Sequence, residues 1–142
     1  MSGTGLSLER ILESALYVDD LDAAEDFYVR VLGLTVYGKA PGRHIFFRLP
    51  GQMLLLFDAR ATGQPLKPDA KLPVPPHGAR GPGHVCFAAT AEAIDTWRAR
   101  LEAHGVGIES DFRWPSGGRS IYFRDPAGNS LEIAEPKLWG MT

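Results

Sequence analysis

The fold is decided by residues 118–133, GRSIYFRDPAGNSLEI. The β-branched and aromatic residues before the Asp-Pro pair predict one strand, and residues 130–134 predict a second. The Gly-Asn pair between them favours a turn, so the stretch is typical of a β-hairpin. The second strand carries one acid, Glu132, in an otherwise apolar run. This acid either faces solvent or is held by a partner, and the choice bears directly on function.

An earlier copy of this hairpin lies in the first half of the chain. Residues 42–50, GRHIFFRLP, match the later GRSIYFRDP, with Gly, Arg, Ile, Phe, Arg and Pro at equivalent places. Beyond the turn, with Ala127 taken as an insertion, Leu55 aligns with Glu132. Upstream, Glu13 aligns with His84. Because polar and turn residues recur together with apolar ones, the chain is predicted to contain an internal repeat.

Each half of the repeat predicts the order β-α-β-β-β. Strands are predicted at residues 11–18, 34–37, 44–49 and 52–57, then at 84–89, from 106–108 onward, at 118–125 and at 130–134. The first helix starts at the acids between Asp19 and Asp22 and ends at Gly33, whereas Thr90 caps the second and Gly105 ends it. The expected fold class is α+β, with two tandem βαβββ modules that form a curved mixed sheet around a cleft.

The domain organisation is predicted as one domain over residues 1–142. Its first module spans 9–58, a connection spans 59–82, and a second module spans 83–136. The segment from Asp58 to Gly83 is rich in Pro and Gly, which predicts an irregular connection without a helix or central strand. A connection of this length is often functional, for example by crossing between halves or covering a pocket.

The composition excludes several classes of partner. The net charge is −2 and no run of Lys or Arg stands out, which argues against nucleic acid or an anionic membrane. The longest apolar run, residues 53–57, is too short to span a bilayer, and the N-terminal residues lack a signal-peptide core. We therefore expect a cytoplasmic protein. The single cysteine, Cys86, is interpreted as a small buried apolar residue.

The alternation along the strands divides their side chains between two faces of each half. One face is expected to pack on the helix: Leu16, Val18, Ile45, Phe47, Leu54, Leu56, Val85, Phe87, Ile121, Phe123, Leu131 and Ile133. The opposite face mixes apolar, aromatic and ionisable groups: Glu13, Ala15, Tyr17, His44, Phe46, Met53, Leu55, Phe57, His84, Cys86, Ser120, Tyr122, Ser130 and Glu132. This second set is typical of the wall of a small-molecule pocket.

Three ionisable residues on the predicted pocket face form a candidate metal site. One imidazole, His84, and two carboxylates, Glu13 and Glu132, suit a divalent cation such as Zn²⁺, Ni²⁺, Mn²⁺, Fe²⁺ or Co²⁺. The alternatives are a solvent-facing Glu132, a core histidine at position 84, and a first strand shifted by one residue, which would turn Glu13 outward. The residues expected to contact substrate are His44, Phe46, Leu55, Ser120 and Tyr122, with core packing as the alternative.

The chain resembles the vicinal oxygen chelate superfamily, which includes glyoxalase I, extradiol dioxygenases and bleomycin-resistance proteins. The matching stretches are YVDDLDAAEDFYVRVLGL, GHVCFA and YFRDPAGNSLEI. The resemblance implies paired βαβββ modules around a divalent metal, with Glu13, His84 and Glu132 as ligands. It also implies a homodimer, often with the cleft completed across the subunit interface. Two departures stand out: Glu13 replaces a common His or Gln, and Leu55 replaces the further Glu of glyoxalase I.

The resulting functional hypothesis is a glyoxalase-like, metal-dependent enzyme with lyase or isomerase chemistry on a small oxygen-chelating substrate. Glu132 and Glu13 are its candidate catalytic residues, since one glutamate can leave the metal and act as a base in this superfamily. An extradiol-type dioxygenase is the first alternative. The second is a non-catalytic protein that binds a drug or metabolite.

Overall fold

A computed structural model describes residues 5–142, so the first four residues of the predicted domain lie outside it. The hairpin predicted over residues 118–133 is present, formed by strands β7 (Arg119–Arg124) and β8 (Ser130–Ala134). The other strands are β1 (Glu13–Tyr17), β2 (Thr35–Ala40), β3 (His44–Leu49), β4 (Gln52–Phe57), β5 (His84–Ala88) and β6 (Ser110–Arg113). The helices are α1 (Leu21–Asp26), which continues as a π-helix (Phe27–Val31), α2 (Ala59–Thr62) and α3 (Ala91–Ala103), followed by a 3₁₀ turn (Pro136–Trp139).

The strands form two four-stranded mixed sheets with the same internal order. The first sheet runs β1-β4-β3-β2 and the second β5-β8-β7-β6, with the first two strands of each parallel and the others antiparallel. Ala15 pairs with Leu55 in the first sheet, and Cys86 pairs with Glu132 in the second. These equivalent pairings place Leu55 and Glu132 at matching positions of the two sheets, as the alignment of the repeat predicted. The topology confirms the α+β fold of two βαβββ units.

The helix-facing sides of both sheets share one hydrophobic core. All six core positions predicted in the first half are buried in it, as are four of the six in the second half. The other two, Val85 and Phe87, are partly buried and pack against it. The period-two alternation thus assigned the inner face correctly on every strand that it was applied to.

The turn of the β7–β8 hairpin ties the two halves together through Asp125, which is buried. The hydroxyl of Tyr28, in the first half, donates to Asp125 Oδ2 at 2.8 Å. Asn129 donates its backbone N–H to Oδ1 and its side-chain amide to Oδ2, both at 2.9 Å. The same amide also donates to the carbonyl oxygen of Tyr17, 3.1 Å away on β1. Burial raises the pKa of Tyr28 well above its usual value, so this hydroxyl remains a neutral donor.

Two predictions about local structure were wrong. The connection contains one helical turn, α2, because Asp58 caps it by accepting a hydrogen bond from the backbone N–H of Arg60 at 2.9 Å, and the first proline comes only at Pro65. The second strand of the second half begins at Ser110 rather than at residue 106, because Val106 and Ile108 pack against the core from a loop.

None of the helices formed by residues 5–142 combines the length and the apolar character that crossing a membrane would require.

Candidate functional site

Each sheet has an open face, which is the face opposite the helices. His84 and Glu132 lie side by side on the open face of the second sheet. His84 Nε2 is 3.3 Å from Glu132 Oε1, and His84 Nδ1 is 2.8 Å from the carbonyl oxygen of Ser130. Since a carbonyl only accepts, Nδ1 carries the hydrogen of this bond. In a neutral ring the lone pair of Nε2 then points at a carboxylate oxygen. Two electron-rich atoms at this distance need a proton or a cation between them, which fits a metal site.

Glu132 is held on its other side by a chain of hydrogen bonds. Ser120 Oγ donates to Glu132 Oε2 at 2.5 Å, and Trp114 Nε1 donates to Ser120 Oγ at 2.8 Å. Ser120 is fully buried and Glu132 is 6% exposed. Glu132 is therefore a partnered, buried acid and not a solvent-facing strand residue, and its Oε1 is directed to His84. Ser120 was expected to contact substrate, but its hydroxyl instead forms hydrogen bonds with Glu132 and Trp114.

The groups beside the pair are a thiol and a row of aromatic rings. Cys86 is exposed on the open face, so its interpretation as a buried residue was wrong. Desolvation by the groups around the sulfur and the charge of Glu132 raise the pKa of the thiol to about 12, which keeps it protonated at neutral pH. The ring of Tyr122 lies between His84 and Phe112, with centroids 6.2 and 5.9 Å away. Desolvation and Glu132 also raise the pKa of Tyr122.

Glu13, the third predicted ligand, lies apart from this pair. It is exposed on the open face of the first sheet, at the start of β1, and lines a cavity of about 1080 Å³. Three residues expected to bind substrate, His44, Phe46 and Leu55, line the same cavity. Among residues 5–142, no three His, Cys, Asp or Glu side chains lie close enough together to hold a metal ion.

The structure thus divides the predicted site into two groups. One, on the second sheet, contains His84, Glu132, Ser120 and Tyr122. The other, on the first sheet, contains Glu13 and the cavity. The first group offers two adjacent metal ligands with a fixed orientation, and the second offers an apolar space with a carboxylate.

Two features of these groups were not predicted from the sequence. Trp114 lies in a loop, where no periodic pattern marks it, and only the fold brings its ring nitrogen to Ser120. The connection also lies over the first sheet, where residues such as Leu66 and Val74 line the cavity. Its length suggested a cover for a pocket, but nothing in its sequence indicated which sheet it would cover.

A comparison with protein families identifies a match over most of the chain. The family model described as the Glyoxalase/Bleomycin resistance protein/Dioxygenase superfamily matches residues 10–133.

Solved structures similar to this chain come from several bacteria. Lactoylglutathione lyase from Agrobacterium tumefaciens is 50% identical, with a TM-score of 0.87 over 94% of this chain and 98% of that one. A glyoxalase/bleomycin resistance protein/dioxygenase from Nocardioides is 29% identical, with a TM-score of 0.71 over 93% and 86%. A virulence protein from Salmonella typhimurium is 25% identical, with a TM-score of 0.66 over 92% and 98%.

Proposed function

The chain belongs to the Glyoxalase/Bleomycin resistance protein/Dioxygenase superfamily, and we propose that it is a metal-dependent enzyme of the glyoxalase type. The observation that carries this proposal is the pair formed by His84 Nε2 and Glu132 Oε1, 3.3 Å apart, with the other ring nitrogen held by a backbone carbonyl. The 50% identity to a protein described as a lactoylglutathione lyase supports lyase chemistry. The substrate we propose is a small molecule with neighbouring oxygens.

The residues that would hold the metal are His84, Glu132 and Glu13. Since Glu13 does not join the other two among residues 5–142 of one chain, we place the complete site between two copies of the protein. In this homodimer, the first sheet of one copy faces the second sheet of the other. Dimers are common in the superfamily, which supports this arrangement.

The chemistry of the site follows from these side chains. A divalent cation bound there would act as a Lewis acid on the oxygens of the substrate. His84 and Glu132 are oriented before any ligand arrives, because Ser130 and Ser120 fix their second polar atoms. The exposed carboxylate of Glu13 is the group we propose as the base that accepts a proton, because Leu55, which occupies the position equivalent to Glu132 in the first sheet, has no ionisable group.

An activity assay with the metal-loaded protein tests this function. The protein is loaded in turn with Zn²⁺, Ni²⁺, Mn²⁺, Fe²⁺ and Co²⁺, and thioester formation from methylglyoxal and glutathione is followed. We expect turnover with at least one cation and none with chelator. Oxygen uptake with a catechol, after anaerobic loading with Fe²⁺, would instead indicate an extradiol dioxygenase. The absence of divalent cation binding would contradict the proposal.

Replacing Ser120 with Ala is expected to weaken divalent cation binding by about 10–100-fold, the usual effect of losing the partner of a metal ligand. The substitution removes the donor to Glu132 Oε2 and frees this carboxylate to rotate away from His84. Calorimetric titration with Zn²⁺ measures the effect.

Ser116→Ala is the matched control for this prediction, since Ser116 is an exposed serine in the turn before β7. Trp114→Phe, which removes only the more distant donor, should give an intermediate affinity. Equal affinities for Ser120→Ala and Ser116→Ala would show that the hydrogen bond does not position Glu132.

A further inference from the structure

The C-terminal segment, residues 135–140, contains the 3₁₀ turn and packs against the loop that joins β6 to β7, residues 114–118. We propose that this segment is a positioning element for Glu132, because it fixes the loop that brings Trp114 to Ser120. The inference rests on the proposed function only in taking Glu132 to be a metal ligand.

Glu135 joins the segment to the start of β7. It is an acid, yet it is only 7% exposed. Its Oε2 accepts a hydrogen bond from the backbone N–H of Arg119 at 2.9 Å, and its own backbone N–H donates to the carbonyl oxygen of Arg119 at 3.1 Å. Arg113 and Lys137 also lie near the carboxylate, at 3.8 and 3.6 Å, but both are exposed and such ion pairs contribute little. The two hydrogen bonds therefore fix the residue that directly precedes Ser120.

Leu138 lies directly against Gly118, the last residue of the loop. A Cβ at Gly118 would be 2.7 Å from Leu138 Cβ and 2.9 Å from the backbone nitrogen of Leu138. These two atoms do not move when a side chain changes its rotamer, so a larger residue at this position would force the segment and the loop apart. Gly118 has no positive φ. The close approach, and not a left-handed backbone, is thus what requires glycine here.

The loop transmits the position of Gly118 to Trp114. The backbone N–H of Trp114 donates to the carbonyl oxygen of Gly118, and the backbone N–H of Gly117 donates to the carbonyl oxygen of Trp114, both at 2.8 Å. The indole N–H of Trp114 donates to Ser120 Oγ, which leaves the serine hydroxyl to direct its own hydrogen to Glu132. A shift of the loop would therefore release the hydroxyl that orients Glu132.

Hydrogen exchange of the Trp114 indole N–H, followed by NMR in the metal-free protein, tests this coupling. The chain has three tryptophans, and the signal of Trp114 is the one absent from Trp114→Phe. We expect Gly118→Ala to accelerate its exchange about tenfold or more, because the hydrogen bond to Ser120 opens. The matched control is Gly107→Ala, since a Cβ at Gly107 would meet no heavy atom within 4 Å among the described residues. Equal exchange in the two variants would overturn the inference.

Zn²⁺ titration shows whether the effect reaches Glu132 through Trp114. Gly118→Ala is expected to weaken Zn²⁺ binding about three- to tenfold, less than Ser120→Ala, because Trp114 acts on Glu132 only through Ser120. In a protein that already carries Trp114→Phe, Gly118→Ala should cause no further loss, since residues that act in one chain are not additive. The same loss in both backgrounds would indicate a general disturbance of the fold and would overturn the inference.

A second pair of variants replaces Gly118→Ala if that protein does not fold. Glu135→Ala removes the acceptor of the Arg119 N–H, whereas Glu135→Gln keeps an oxygen at the same place. We expect the alanine variant to show faster exchange of the Trp114 indole N–H and weaker Zn²⁺ binding, and the glutamine variant to behave like the wild type. Equal behaviour of the two would contradict the inference.

The exchange measurement uses no metal, so it separates this inference from the proposed function. If the wild type binds no divalent cation but exchange at Trp114 responds to Gly118→Ala, the metal-dependent function fails and the positioning of the Glu132 carboxylate stands. If the wild type binds Zn²⁺ and Gly118→Ala changes neither exchange nor affinity, the positioning role fails alone.

Discussion

Replacing either His84 or Glu132 with Ala is expected to reduce the affinity for divalent cations by more than about 100-fold, beyond the range found when only the partner of a ligand is lost. The proposed ligand atoms are Nε2 of His84 and Oε1 of Glu132, which are 3.3 Å apart. Either substitution leaves a single ligand on the second sheet. Calorimetric titration with Zn²⁺, and metal content after dialysis, measure the loss.

Two surface residues provide matched controls for these variants. His104, exposed at the end of α3, and Glu109, exposed beside Arg124, carry the same functional groups away from the site. His104→Ala and Glu109→Ala should bind divalent cations like the wild type. If His84→Ala and Glu132→Ala bind as tightly as these controls, the assignment of the metal site to the second sheet is wrong.

Replacing Asp125 with Ala is expected to lower the free energy of unfolding by about 3–5 kcal/mol, since buried donors left unpaired cost about 1–3 kcal/mol each. Its carboxylate accepts hydrogen bonds from the hydroxyl of Tyr28, the backbone N–H of Ala127, and both the backbone and the side chain of Asn129. The loss therefore disturbs the hairpin turn and the junction between the two halves together. Urea denaturation followed by far-UV circular dichroism measures it.

Asp20→Ala serves as the control for Asp125→Ala, because Asp20 is an exposed aspartate that caps α1 through one hydrogen bond to the backbone N–H of Ala23, at 3.0 Å. The loss of such a cap costs about 1 kcal/mol. Similar losses for the two variants would show that the Asp125 network does not hold the halves together.

The fold could be predicted largely from local pattern and from the repeat. The hairpin at residues 118–133 and its earlier copy set the order of strands in both sheets, and the alternation identified the core face. Both features depend on the order and spacing of residues that are close together in the sequence, so they can be predicted from one sequence. The helical turn α2 was missed because the capping residue, Asp58, was outweighed by the prolines that follow it.

The candidate site was less accessible to sequence analysis. Alternation placed Glu13, His84 and Glu132 on open faces but could not show which open faces meet. The structure brings His84 to Glu132 and leaves Glu13 beside the cavity. Whether Glu132 was solvated or held depended on Ser120 and Trp114, and their contacts arise only when β6, β7 and β8 lie side by side.

The most direct test of the proposed metal site is a crystal structure of the protein grown with Zn²⁺, with diffraction data collected on both sides of the zinc absorption edge. We expect an anomalous peak about 2.0–2.2 Å from His84 Nε2 and from an oxygen of Glu132, with Glu13 of a second copy as the third protein ligand. Crystals without an anomalous peak at this position, or with zinc bound only by other residues, would contradict the assignment of the metal site to His84, Glu132 and Glu13.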